Sequence, residues 1–153
     1  TMLRDGDTLT VDVGRGGRFF DWSDCTMTLT ANLAPGATVI IDQRAARTRL
    51  DGEFGALDIR SDAGDIAFTG HAASIAVSGA ALRARLTFER VMQNEVVAIS
   101  GSMLDATVRF LQPTPISYLV ETVASYVDST LPNTPGARPS ITIRGEMARV
   151  RIE

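Results

Sequence analysis

Pairs of residues one position apart, mostly apolar, recur along this chain every nine residues. They begin at Val39/Ile41 and continue through Thr48/Leu50, Leu57/Ile59, Ile66/Phe68, Ile75/Val77 and Ala84/Leu86. After a four-residue insertion the spacing resumes with Val97/Ile99 and Ala106/Val108, and again near the C-terminus with Ile141/Ile143 and Val150/Ile152. Residues i and i+2 share one side of a strand but not one face of a helix, so the pattern specifies β structure. Gly, Asp, Ser and Ala fill the gaps and suit tight turns. "IDQRAARTRLDG" (41–52) and "IRSDAGDIAFTG" (59–70) repeat the same frame eighteen residues apart. Sustained recurrence of this kind is the mark of repeat architectures.

The spacing therefore predicts an all-β fold, a parallel β-solenoid (β-helix) with about 18 residues per turn, built as one domain over residues 1–153. Stacking predicts columns. Leu50, Phe68, Leu86, Val108 and Ile152 form one inward column, and Ile41, Ile59, Val77, Ile99 and Ile143 another. Arg47, Asp65, Arg83, Asp105 and Arg149 occupy equivalent outward places and alternate in sign. Opposite charges side by side on neighbouring strands stabilise a sheet.

Residues 112–140 break the frame and hold five of the six prolines. Within them Ile116, Leu119, Val120, Val123 and Val127 follow helical spacing, with Thr114 as cap and Pro115 in the first turn. A short α-helix near residues 115–128 is expected, as an excursion after which residues 141–152 return to stack on 97–108. A strand continuing in unchanged phase would point Glu121 inward at a cost of several kcal/mol. A one-residue phase shift removes that objection. The returning C-terminal strand is expected to be covered by the excursion or to self-associate. Toward the N-terminus, Leu9/Val11 and Met27/Leu29 suggest strands, and "GRGGRFF" (14–20) reads as a loop.

Length and composition bound the rest. The 153 residues can bury a sizeable core, and 44% hydrophobic with 22% charged residues is ordinary for a globular chain. A net charge of −3 gives no global field toward nucleic acid, which is not an expected partner. All fifteen basic residues are Arg. No apolar run approaches the ~20 residues of a membrane-spanning helix, and "TMLRDGDTLT" does not read as a leader peptide.

"DGDTLTV" (5–11), "LAPGATVIID" (33–42) and "ALDIRSDAGDIAFTG" (56–70) resemble the bacterial adhesin-like β-strand-repeat family, a domain of unknown function, over roughly residues 5–110. The Gly-Asp-Ile element of that family occurs once here, at Gly64, Asp65 and Ile66. The resemblance implies a β-solenoid held outside the cytoplasm, in the periplasm or at the cell surface. It implies no catalytic residues.

Residues that carry chemistry elsewhere have structural explanations here. His71, the single histidine, follows Gly70 and is expected at a surface turn, with no His or Cys at metal-ligand spacing beside it. Cys25 excludes an internal disulfide and reads as a small buried hydrophobe. Asp62, Gly64 and Asp65 lack the recurring acids of calcium-binding repeats. Ser78-Gly79 and Ser100-Gly101 read as turns and do not make a nucleophile elbow. No catalytic, cofactor or metal site is expected. The candidate interaction face is Arg47, Arg49, Arg83, Arg85, Arg149 and Arg151, which suits an anionic glycan. A non-catalytic, adhesin-like structural or interaction module of the cell envelope is the function expected. The alternatives are a glycan-binding or glycan-cleaving protein with unpaired acids in a cleft, and a lipid carrier with an open apolar channel.

Overall fold

The computed structural model describes residues 2–5, 8–11 and 30–153. By its contacts the chain divides into Thr1–Asn32 and Leu33–Glu153. In the first unit β1 (Met2–Asp5) and β2 (Thr8–Val11) pair antiparallel, Met2 opposite Val11 and Asp5 opposite Thr8. The strand expected around Leu9/Val11 is thus present. Cys25, Met27/Leu29 and the 14–20 loop lie outside the described residues.

The second unit is a parallel sheet of four strands: β3 (Ala37–Phe88), β4 (Val96–Phe110), β5 (Ser117–Ser129) and β6 (Ser140–Ile152), in the order β3-β4-β6-β5. Alternating apolar and polar residues make these segments strands. Along Val97–Phe110, the side chains of Val97, Ile99, Leu104, Ala106, Val108 and Phe110 are buried, while most of their neighbours are more exposed. One continuous core runs beneath the sheet from Phe54 to Ile152. At the start of β3, Val39, Ile41 and Leu50 only pack partly against it.

β3 is 52 residues long, yet Phe54 and Phe68 have ring centroids 6.2 Å apart, and Phe68 and Phe88 are 5.5 Å apart. The strand therefore bends back on itself. Gly52 and Gly70, at φ +125° and +136°, supply backbone conformations closed to most side chains.

Two sequence expectations are corrected here. The β-solenoid with about 18 residues per turn gives way to a four-stranded parallel sheet. Its ladders set Ser74 opposite Val96, Val96 opposite Ser140, and Ser117 opposite Ser140. None of these offsets is eighteen. The eighteen-residue recurrence instead lies inside β3, where it spaces the bends at Gly52 and Gly70. The chain is therefore neither a β-solenoid nor a parallel β-helix.

The helix near 115–128 is also corrected, because the described residues contain no helix and Ser117–Ser129 is a strand. The phase is shifted by one residue, with Val120 opposite Ile143 and Glu121 opposite Arg144. The shift turns Tyr118 and Val120 toward the core. It also frees Glu121 to bind Arg144 at 2.6 Å, removing the burial cost that argued for a helix. Val120, Thr122, Val123 and Val127 are β-branched and favour the extended form.

Residues 141–152 do return onto 97–108, in register from Val97–Ile141 to Val108–Ile152. β5 then covers the C-terminal strand. The expected columns hold across the separate strands: Leu86–Val108–Ile152 and Val77–Ile99–Ile143 are aligned. Gly79, Gly101 and Gly145 form a third row. They act by close approach and not by turning the chain: a Cβ on Gly101 would lie 2.2 Å from the Gly79 carbonyl oxygen.

Candidate functional site: an arginine-lined groove

Because successive residues alternate sides, the outward residues of the aligned strands form a grid. One row reads Arg83, Asp105, Arg149 and Tyr126 across β3, β4, β6 and β5, and a second reads Arg85, Thr107, Arg151 and Asp128. These eight residues and Val150 line an open groove of about 370 Å³. Four guanidinium groups face two carboxylates there, so the groove is locally positive on a chain whose net charge is −3.

Ion pairs thread the grid. Arg83 lies 3.8 Å from Asp105, and Arg151 lies 3.7 Å from Asp128. Arg85 reaches Asp65 at 3.6 Å, and Asp65 also meets Arg47 at 4.0 Å. All are solvent-exposed pairs, each worth at most about 1 kcal/mol. Arg149 stands opposite Asp105 on one side and Tyr126 on the other, with no ion pair within 4.0 Å among the described residues. Tyr126 is 65% exposed. Unsatisfied guanidinium donors beside an exposed aromatic face suit a planar anion carried on a flat, partly apolar ring.

Of the six arginines expected on one face, four converge in the groove: Arg83, Arg85, Arg149 and Arg151. Arg47 touches it only through Asp65, and Arg49 turns to Asp51 at 2.9 Å. The sequence does not set Tyr126 and Asp128 beside these arginines, because helical spacing puts Asp128 on the polar face of the expected helix and hides the strand phase of both. A strand phase through Val120 sets them beside Arg149 and Arg151.

His71 is corrected from a surface turn to a largely buried strand residue. Its side chain is 12% exposed, and Nε2 donates to Glu95 Oε1 at 2.9 Å. Glu95 is fully buried in the connection between β3 and β4. Its Oε1 also accepts the Met92 N–H, and its Oε2 accepts the Asn94 N–H at 3.1 Å. Burial alone would push its pKa up. The N–H groups of Met92, Glu95 itself and Asn94, with the His71 contact, outweigh that and hold the carboxyl below its usual range. Gln93, at φ +63°, and the Arg90–Glu53 pair at 3.2 Å complete this tightly folded connection. The arrangement fixes a loop and presents no open face to a substrate.

Among the described residues, no group of three or more His, Cys, Asp or Glu side chains is placed to hold a metal ion. Among the described residues no helix is long and apolar enough to cross a membrane. Comparison with family models, with curated proteins and with solved structures returns no match.

Proposed function

We propose that this domain is a non-catalytic interaction module that holds an acidic saccharide in the groove of Arg83, Arg85, Arg149, Arg151 and Tyr126. The observation that carries this reading is the convergence of four arginines and an exposed tyrosine on one rigid sheet face. Arginine forks pair with carboxylates through two parallel hydrogen bonds. A tyrosine ring offers the apolar surface on which a pyranose lies.

Binding is favoured over cleavage because both acids of the groove, Asp105 and Asp128, sit beside arginines. A general acid must be free to reach the leaving group, and these two carboxylates are engaged by guanidinium groups. The lipid-carrier alternative is disfavoured by the filled interior, in which Phe68, Phe88, Ile99 and Ile143 are buried to within about 1% of full enclosure. The resemblance to adhesin-like repeat proteins suggests a place outside the cytoplasm, at the bacterial cell envelope.

Titration calorimetry with oligogalacturonate, against neutral dextran oligomers, tests the proposal. Oligogalacturonate is expected to bind, and more weakly as salt rises. Arg149→Gln and Tyr126→Ala are each expected to lower affinity about tenfold, the size of a moderate hot-spot residue. Arg49→Gln, outside the groove, is expected to leave affinity unchanged. Equal affinity for the acidic and neutral oligomers would overturn the assignment.

A further inference from the structure

The charges of the groove are ordered strand by strand. On β3, Arg83 and Arg85 are two residues apart, so they share the outward side with their Cα atoms about 7 Å apart. On β6, Arg149 and Arg151 repeat that arrangement. Each pair can close on one carboxylate from two sides. The intervening β4 brings no cation to these rows. Asp105 lies between Arg83 and Arg149, and Thr107 lies between Arg85 and Arg151. β5 continues the rows with Tyr126 and Asp128.

Neighbouring strands lie about 4.8 Å apart, so the two arginine pairs are separated by about 9.6 Å. One pyranose of an extended glycan is of the same order of length as a single strand spacing. Successive sugars running across the strands therefore meet β3, β4, β6 and β5 in turn. They encounter a cationic clamp, an acceptor, a second cationic clamp, and then an aromatic ring beside an acid.

We propose that the groove selects an acidic glycan in which charged and neutral sugars alternate. One uronate sits at Arg83 and Arg85, a neutral sugar lies over β4, and the next uronate sits at Arg149 and Arg151. The inference rests on the groove being a saccharide site, and it adds which acidic saccharide that site takes.

Asp105 carries the selection. A carboxylate only accepts hydrogen bonds, and the hydroxyl or acetamido N–H groups of a neutral sugar can donate to it. A uronate in the same place would set like charges together. Asp105 also meets Arg83 at 3.8 Å, but the Arg83 fork has more N–H donors than that one carboxylate engages. Met103 stands two residues before Asp105 on the same side of β4 and is 61% exposed, an apolar seat for the methyl of an acetamido group. At the far end Asp128, 3.7 Å from Arg151, opposes a further charge, while the Tyr126 ring offers its face to an uncharged sugar.

Titration calorimetry at one fixed salt concentration tests the proposal with two glycans. In a hyaluronan tetrasaccharide glucuronate alternates with N-acetylglucosamine, whereas in tetragalacturonate every sugar is charged. Total charge alone favours tetragalacturonate, so a preference the other way reports the pattern. The hyaluronan tetrasaccharide is expected to bind about tenfold tighter. Asp105→Asn removes the charge of a half-exposed side chain and keeps its volume. It is expected to bring the two affinities within about twofold, by raising that for tetragalacturonate. Equal or tighter binding of tetragalacturonate by the wild type overturns the inference and leaves the groove a saccharide site. So does a preference that survives unchanged in Asp105→Asn. Failure of both glycans to bind removes the groove reading and this inference with it.

Discussion

Replacing Phe68 with alanine is expected to lower the free energy of unfolding by about 3–5 kcal/mol, the range for truncating a buried aromatic side chain. Phe68 is 1% exposed and stands inside a run of four rings, Phe54–Phe68–Phe88–Phe110, with centroid separations of 6.2, 5.5 and 5.2 Å. Truncation removes two of those three aromatic contacts and leaves a cavity between separate passes of the same strand. The bend at Gly70 brings those passes together, so the surrounding chain is pinned and cannot collapse into the space. Chemical denaturation should show a lower midpoint with an unchanged slope. A loss under about 1 kcal/mol would mean that the two passes do not pack as described.

The second large effect is expected at Glu95. Glu95→Ala removes the acceptor for the N–H groups of Met92, Glu95 and Asn94 in the connecting loop and for His71 on β3. Deleting one partner of a buried charged network typically costs about 3–5 kcal/mol, because the remaining polar groups stay desolvated. For a chain of this size that corresponds to a fall in melting temperature of roughly 6–20 °C. The effect carries a pH signature. The folded carboxyl titrates below its unfolded value of about 4.3. Its contribution is therefore present above that value and is lost as the pH falls through the lower folded value. The gap between wild type and Glu95→Gln should accordingly be widest near neutrality and close in acid. A gap independent of pH would show that the carboxylate charge contributes nothing.

Much of the groove follows from the alternation of apolar residues alone. Fixing Leu86, Val108 and Ile152 on one inward column necessarily sets Arg85, Thr107 and Arg151 on the outside, and the observed registers agree. Arg83, Asp105 and Arg149 follow in the same way. Two features were hidden for different physical reasons. At 115–128, helical spacing and a one-residue-shifted strand both fit the same valines. The choice falls to backbone pairing with β6, a partner more than twenty residues away in the chain. That single ambiguity concealed Tyr126 and Asp128. Glu95 gives no signal, because one of the two acids in "ERVMQNEV" becomes a buried acceptor only after the loop turns its N–H groups inward.

The eighteen-residue recurrence is real in the sequence but marks something narrower than the architecture first inferred from it. It spaces Gly52 and Gly70, the two left-handed glycines within β3. The joins between separate strands follow instead from the insertion after Phe88 and from the long path through residues 111–139. Gly79, Gly101 and Gly145 teach a related lesson. Ser-Gly pairs look like turn chemistry, whereas here the glycines allow neighbouring backbones to approach to distances that any Cβ would block.

Amide chemical-shift mapping during titration with oligogalacturonate puts the central claim to its most direct test, since it locates the contact as well as detecting it. Four distant stretches, 83–85, 105–107, 126–128 and 149–151, should shift together and saturate at one ligand concentration, while 49–51 stays unmoved. Shifts confined to one stretch, or centred away from all four, would contradict both the site and the strand order that assembles it.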